Sequence, residues 1–230
     1  MFNNKYSKTL TVVLIMVIII IMGLLIFFGI RVYRKYYIKQ ASKEVIEELK
    51  DKANQINDTT EESNSILNDV QPSVDLNTLY QNSTNNDSNE SGDWEYMGYD
   101  VIGYIEIPKT DVEYLIIPDY QSSINALNVG IVMLYPSNIG LNEPGNTVLA
   151  GHNYRDGSFF SNNKRLQEGD KIYITDTSGE RVEYEIYKKY ETSTSDSSYM
   201  NRDTEGRREL SLTTCTDDTS ARLIIWAKEV

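Results

Sequence analysis

In 230 residues the chain has one cysteine, one histidine and five prolines. A single cysteine excludes an internal disulfide, so stability must come from packing rather than from covalent cross-links. It fits either a reduced compartment or an outside surface where folding does not depend on disulfides. With one Cys and one His, a tetrahedral zinc site would have to be built almost wholly from carboxylates, which argues against a structural metal. Positive charge is also scarce: 22 Lys and Arg face 34 Asp and Glu, a net charge of −12. Six of those bases lie in residues 1–40, which hold no acid, so residues 41–93 and 94–230 each carry −9. Such a surface repels phosphate backbones, and no basic stripe offsets it, so nucleic acid is excluded as a partner. Phenylalanine is rare beside tyrosine, five against seventeen, which suits strands with one wet face.

Leu10 to Ile30 is an uncharged apolar run of 21 residues, LTVVLIMVIIIIMGLLIFFGI. As a helix it spans roughly 30 Å, the hydrocarbon thickness of a bilayer. A cleaved secretory signal is the alternative, but the run exceeds a signal's apolar core and no small-x-small site follows it. The expected layout is therefore a short flank over 1–9, a membrane anchor over 10–30, and a juxtamembrane segment from 31. Lys5 and Lys8 precede the anchor, while Arg31, Arg34, Lys35 and Lys39 follow it. Flank charge alone would keep the following domain inside the cell, although large domains translocate largely regardless of it. Val45, Ile46, Leu49, Ala53 and Ile56 recur at helical spacing and predict a helix after the anchor. From Asn57 to Ser91 the chain is mainly Asn, Ser, Thr, Asp and Glu, which predicts a flexible polar spacer through residue 93. Removing residues 1–93 should then leave a folded domain.

From Trp94 the apolar period changes to two. Strands are expected at Val101–Ile107, Val112–Ile117, Gly130–Leu134, Thr147–Gly151, Lys171–Asp176, Val182–Tyr190, Glu209–Cys215 and Arg222–Lys228. Turn-forming stretches such as NEPGN and TDTSGE separate them, and Gln121–Leu127 and Ser158–Leu166 read as short helices. Eight short strands with no long amphipathic helix among them predict an all-β domain over 94–230. A closed barrel is favoured, with a β-sandwich as the alternative.

Three residues carry candidate chemistry. Cys215 ends the alternating strand SLTTC and is followed by the polar turn TDDTS, so its thiol sits where a ladder opens into a loop. By residue type alone a free cysteine is more often a small buried hydrophobe. His152 follows NTVLAG and precedes NYRDGS, another strand-to-loop junction. A lone histidine is usually structural, yet imidazole is the side chain best suited to proton transfer near neutral pH, and a thiol nucleophile needs such a partner. Arg222 begins the last strand. Its fixed charge and planar fork can stabilise an oxyanion and lower a neighbouring thiol's pKa.

Taken together these segments resemble the sortase family. SLTTC is similar to that family's TLxTC signature, with Ser211 in place of the first Thr. NTVLAGHNYRDGSFF resembles its histidine segment, and RLIIWA its arginine-led final strand. The similarity extends over about residues 101–229, in the order His, Cys, Arg. The resemblance implies an eight-stranded β-barrel with short helices behind one transmembrane helix. It implies a cysteine transpeptidase in which Cys215 attacks an LPxTG-like sorting signal between Thr and Gly. His152 would act as acid and then base, Arg222 would hold the oxyanion, and Thr214 would contact substrate. The thioacyl enzyme would pass its cargo to an amine on peptidoglycan precursor or a pilin lysine, at the surface of a Gram-positive cell. No cofactor is implied. Calcium, bound by some relatives, finds no ligand spacing here.

Within the family, the absence of a second apolar span after the barrel argues against the pilus-polymerising type. The short Tyr190–Glu209 interval leaves no room for the long class B helix, although GHNYRDGSFF is similar to class B wording. The lengths fit a short barrel of class A, D or E, and of these a class D-like enzyme is favoured. Papain-like peptidases place Cys before His, and L,D-transpeptidases use a Ser-His-Gly-Cys stretch that is absent here. A non-catalytic adhesion domain on a stalk would leave Cys215 and His152 apart.

Overall fold

The computed structural model describes residues 4–67, 94–135 and 140–230. They fall in two compact units, Met1–Ala41 and Ser42–Val230. One helix, α1 (Asn4–Leu67), contributes to both. Within the first unit its apolar side chains from Leu10 to Ile30 are exposed, as a candidate membrane anchor requires.

The helix runs through Leu67, eleven residues beyond the Asn57 boundary at which the polar composition predicts a spacer. Neither Gly nor Pro occurs between Ile30 and Gln71, so nothing interrupts a helix that has already been nucleated. The remainder of the expected spacer, residues 68–93, lies outside the described residues.

In the second unit α1 also has a buried side. Ser42, Ile46 and Leu49, spaced i, i+4, i+7, are buried, and Lys50 reaches the barrel. The target is a pair of facing acids. Glu106 on β3 (Gly103–Ile107) sits directly opposite Glu113 on β4 (Val112–Ile117). Like charges in such a pair repel. Lys50 Nζ relieves them, at 2.7 Å from Glu113 and 3.7 Å from Glu106, with Lys43 assisting on Glu113 and Arg181 on Glu106. Burial opposes the Lys50 ammonium, but its hydrogen bond to Glu113 and the charge of both carboxylates outweigh that and hold its pKa above the usual lysine value. Lys50 also lies 5.4 Å from the centre of the Tyr104 ring.

The domain opens with a small hairpin that period-two reading misses, β1 (Glu95–Tyr96) and β2 (Tyr99–Asp100), turned by Met97 and Gly98 at φ 52° and 81°. After β3 and β4 come the short helix α2 (Ile124–Leu127), β5 (Ile131–Tyr135), β6 (Gly145–Ala150), β7 (Lys171–Asp176), β8 (Arg181–Ser193), β9 (Arg208–Cys215) and β10 (Ala221–Glu229). The eight strands from β3 to β10 form a closed barrel in the order β10-β8-β7-β3-β4-β5-β6-β9, and β9 pairs with β10 to complete it. Of the two short helices expected, the first is α2 and the second shrinks to a 3-10 turn at Asn163–Arg165. Alternation works as the pattern predicts. In β8, Val182, Tyr184 and Ile186 are buried between more exposed Arg181, Glu183, Glu185 and Tyr187.

β9 departs from that rule, because Glu209 through Thr214 are all buried. The segment before it folds over its second face. Asn146 donates to the carbonyls of Tyr199 and Met200, and Ser211 donates to Asn146. Arg202 pairs with Glu209 at 2.5 Å and stacks 4.3 Å from Trp226.

The docked helix gives a test. In a chain shortened to residues 39–230, Ile46→Ala should cost about 2 kcal/mol, the low end for a buried Ile or Leu cut to Ala. Urea unfolding followed by tryptophan fluorescence measures it. An unchanged midpoint would mean that the helix is only a tether.

Candidate active site

The site is assembled where β6, β9 and β10 end together. β6 and β9 run parallel, in register from Gly145↔Arg208 to Ala150↔Thr213. β9 and β10 are antiparallel, which sets Cys215 opposite Arg222. The turn between them closes on itself. Thr216 donates its N–H to the Ala221 carbonyl, and Asp218 accepts from Thr216, from the Ser220 hydroxyl and from the Ser220 N–H. Those hydrogen bonds, the one from Thr216 first, pull the Asp218 pKa down to about 2. Cys215 is free and half-buried. Arg222 Nη1 donates to its Sγ at 2.8 Å. Among the described residues no carboxylate pairs with Arg222, so its charge is directed at the sulfur.

His152 follows β6 after Gly151, a position that has no room for a side chain. A Cβ there would lie 2.7 Å from Ile131 Cδ1 and 2.8 Å from Phe160 Cδ2, both on buried residues. Glycine thus lets the strand pass under Phe160 and deliver the imidazole. Beyond it, the His152 carbonyl accepts from Phe160 N–H at 3.0 Å, which folds residues 152–160 into a closed loop. The Tyr154 ring lies 4.7 Å from the imidazole, centre to centre, and Tyr154 is anchored through its hydroxyl to Asn128.

Two side chains tie this loop to the end of β9. Thr214 Oγ1 donates to the Gly151 carbonyl at 2.7 Å. Asn153 Nδ2 donates to the Cys215 carbonyl at 2.9 Å and to Asp217 at 3.0 Å. His152 is therefore pinned through both of its sequence neighbours to the two residues at the end of β9. Thr214, which the family resemblance put in contact with substrate, is buried, and its hydroxyl is taken up by Gly151. It also lines the cavity beside Cys215. Asn153 was not singled out from the sequence, since an Asn after a His signals nothing until Cys215, 62 residues later, is brought to it.

Burial first, and then the positive charge of Arg222, lower the His152 pKa below its ordinary 6.5. The neutral imidazole therefore dominates at neutral pH. The same shift links stability to pH. An unfolded chain takes up this proton at higher pH than the folded one, so the contribution is complete above about 6.5 and is lost as pH falls through the lowered folded value. His152 Nε2 is buried and finds no hydrogen-bond partner among the described residues. Beside Cys215 lies a cavity of about 410 Å³, lined by Asn153, Phe160, Lys164, Glu191, Thr214, Thr216, Asp217, Asp218, Ser220 and Leu223. Among the described residues, no group of three or more His, Cys, Asp or Glu side chains is placed to hold a metal ion.

This arrangement provides a thiol held by a guanidinium, with a neutral imidazole on the adjoining loop within reach of the guanidinium's charge. The comparisons point to one family. The family model described as Sortase domain matches residues 105–230, more than half of the chain. A pilus-related sortase C of Group B Streptococcus is 26% identical with a TM-score of 0.51, over 56% of this chain and 67% of that one. A sortase D5 transpeptidase of Clostridium perfringens is 24% identical with a TM-score of 0.55, over 83% of this chain and 99% of that one. Sortase A from Corynebacterium diphtheriae, in a lid mutant, is 23% identical with a TM-score of 0.51, over 82% and 95%. No curated protein sequence matches.

Because the chain contains one histidine, its imidazole titration by NMR is unambiguous. It should have its midpoint below 6.5, and Arg222→Gln, which removes the nearby charge, should move it upward. A midpoint unmoved by that substitution would mean that Arg222 does not face His152.

Proposed function

The chain belongs to the sortase family, and from that membership we propose that Cys215, His152 and Arg222 carry out its transpeptidation. A sortase is a cysteine transpeptidase that joins proteins bearing a sorting signal to an amine. The observation that supports these three residues most directly is the 2.8 Å hydrogen bond from Arg222 to Cys215 Sγ, made beside an imidazole kept neutral.

In this reading the donor is an LPxTG-like sorting signal. The Cys215 thiol gives its proton to neutral His152 as the sulfur attacks the scissile carbonyl between Thr and Gly. Arg222 shifts its donors from the sulfur to the carbonyl oxygen as that oxygen becomes negative. Collapse of the tetrahedral adduct breaks the C–N bond, and the imidazolium returns the proton to the departing amine. A thioester on Cys215 and neutral His152 remain. The imidazole then takes a proton from the incoming amine, which displaces the thiolate. Arg222 acts a second time, and the proton returns to sulfur. Every proton is supplied by the chain or its substrates, so the reading needs no cofactor. Thr214 acts by positioning the His152 loop.

The acceptor in this reading is an amine of peptidoglycan precursor or a pilin lysine, and the cavity beside Cys215, with Glu191 in its lining, offers it a way in. In the full reading Leu10–Ile30 anchors the chain in the cell membrane as a single pass, and the barrel over 94–230 works outside the cell. The interval from Thr194 to Arg207 holds turns and no helix, which favours a class D-like enzyme over class B.

Full-length protein incubated with a library of quenched pentapeptides and triglycine, with products sequenced, tests the activity. Cys215→Ala should abolish thioester formation. His152→Ala should lose about 10²–10⁴-fold, the usual worth of general acid–base catalysis. Arg222→Lys keeps the charge but lacks the planar fork, and should lose about 10²-fold or more, as for one oxyanion donor. Retained transpeptidation in Cys215→Ala would end the assignment of the nucleophile, and near-normal turnover in Arg222→Lys would show that charge alone suffices.

A further inference from the structure

The parallel ladder between β6 and β9 ends at Ala150↔Thr213, one residue short of Gly151 and two short of His152. A last backbone bond, Gly151 N–H to the Thr213 carbonyl at 3.2 Å, closes it. Beyond that point strand pairing no longer fixes His152 relative to Cys215. Asn153 Nδ2 supplies a further bond, to the Cys215 carbonyl, where the next backbone rung would be.

The Asn153 amide has no spare donor. Its two N–H groups are used on the Cys215 carbonyl and on Asp217 Oδ1, while its oxygen accepts the N–H of Arg155. Arg155 has φ +60°, so that acceptor bond also stabilises a strained turn in the His152 loop. Asp217 in turn accepts from Lys164 at 2.5 Å, and these two bonds, Lys164 first, hold its carboxyl below the usual range and keep it charged. One side chain therefore joins three segments: the loop carrying the imidazole, the residue carrying the thiol, and, through the Asp217 carboxylate, the turn that leads to Arg222.

We infer that Asn153 is a positioning residue for transpeptidation, setting the His152 imidazole against the Cys215 thiol through its bond to the Cys215 carbonyl. The inference rests on the transpeptidase reading above. Proton transfer between thiol and imidazole, and later between imidazole and amine, requires contact geometry, and a misplacement of about 1 Å can cost about 10²-fold. Asn153 bonds the Cys215 carbonyl and not its sulfur, so its loss should act on kcat more than on donor KM.

The experiment uses the full chain in detergent micelles, with the best pentapeptide of a quenched LPxTG-like library as donor and triglycine as acceptor. Asn153→Ala should lower kcat by about 10- to 100-fold and leave the donor KM within about twofold. In the same protein the His152 imidazole, released from part of its burial, should titrate closer to 6.5. If Asn153→Ala folds poorly, Asn153→Ser, which cannot reach both acceptors, carries the same expectation. The deciding variant is the exchange Asn153→Asp with Asp217→Asn. It restores an amide–carboxylate pair across the turn, but the new Asp cannot donate to the Cys215 carbonyl. We expect it to be as slow as Asn153→Asp alone. Recovery to near the unaltered rate would overturn the inference, because the tie to the turn would then be what matters. So would an unchanged kcat and imidazole titration in Asn153→Ala. No turnover of any donor by the unaltered chain would overturn the transpeptidase reading, and this inference with it.

Discussion

β6 and β9 lie side by side in parallel although His152 and Cys215, just beyond and at their ends, are 63 residues apart in sequence. Parallel neighbours cannot be joined by a tight turn, so the chain must leave β6, build β7 and β8, and return. Ordering that excursion costs loop entropy before any contact repays it. The repayment comes from the barrel. Leu149, Leu210 and Leu212 are buried, and the barrel closes only when β9 sits between β6 and β10. The same closure sets Cys215 opposite Arg222 and delivers Gly151 and His152 to the end of β9. Fold and site are thus consequences of one pairing.

Charge at the site is kept from cancelling. Acidic residues outnumber basic ones throughout the domain, yet the nearest carboxylates in sequence, Asp217 and Asp218, are already occupied. Asp218 is held by the hydroxyls and N–H groups of its own turn, and Asp217 by Lys164 and Asn153. Arg222 therefore keeps its field for the sulfur and the imidazole. An acidic protein can maintain a positive corner only if its carboxylates are engaged elsewhere. The 216–220 turn does this with short polar side chains.

The barrel was legible in sequence because strands that bury one face alternate, and all eight expected segments are strands within a few residues of their predicted ends. The placement of Cys215 opposite Arg222, with His152 just past the end of the neighbouring strand, could be anticipated because each stands at a strand–loop junction in segments that resemble those of a family. What stayed hidden depends on partners far along the chain. Lys50 looks like one more charge on a polar helix until Glu106 and Glu113 are set face to face. Arg202 and Glu209 form a buried pair that no local pattern announces. Glu209, Ser211 and Thr213 read as the outward positions of a strand, and they are buried because residues before β9 fold back over it. The Met97-Gly98 hairpin was missed because two-residue strands carry no period.

Barrel closure also limits how a peptide can be recognised. A sheet that ends in a free edge can accept an extended ligand as an additional strand, with backbone hydrogen bonds supplying affinity almost regardless of sequence. Here β9 is flanked on one side by β6 and on the other by β10, so the strand that carries Cys215 has no edge to offer. A peptide reaching Cys215 must be gripped by side chains and loops. Discrimination then falls on individual residues rather than on a generic backbone ladder, and a change of preference is to be sought in the loops around the end of β9, not in the barrel itself.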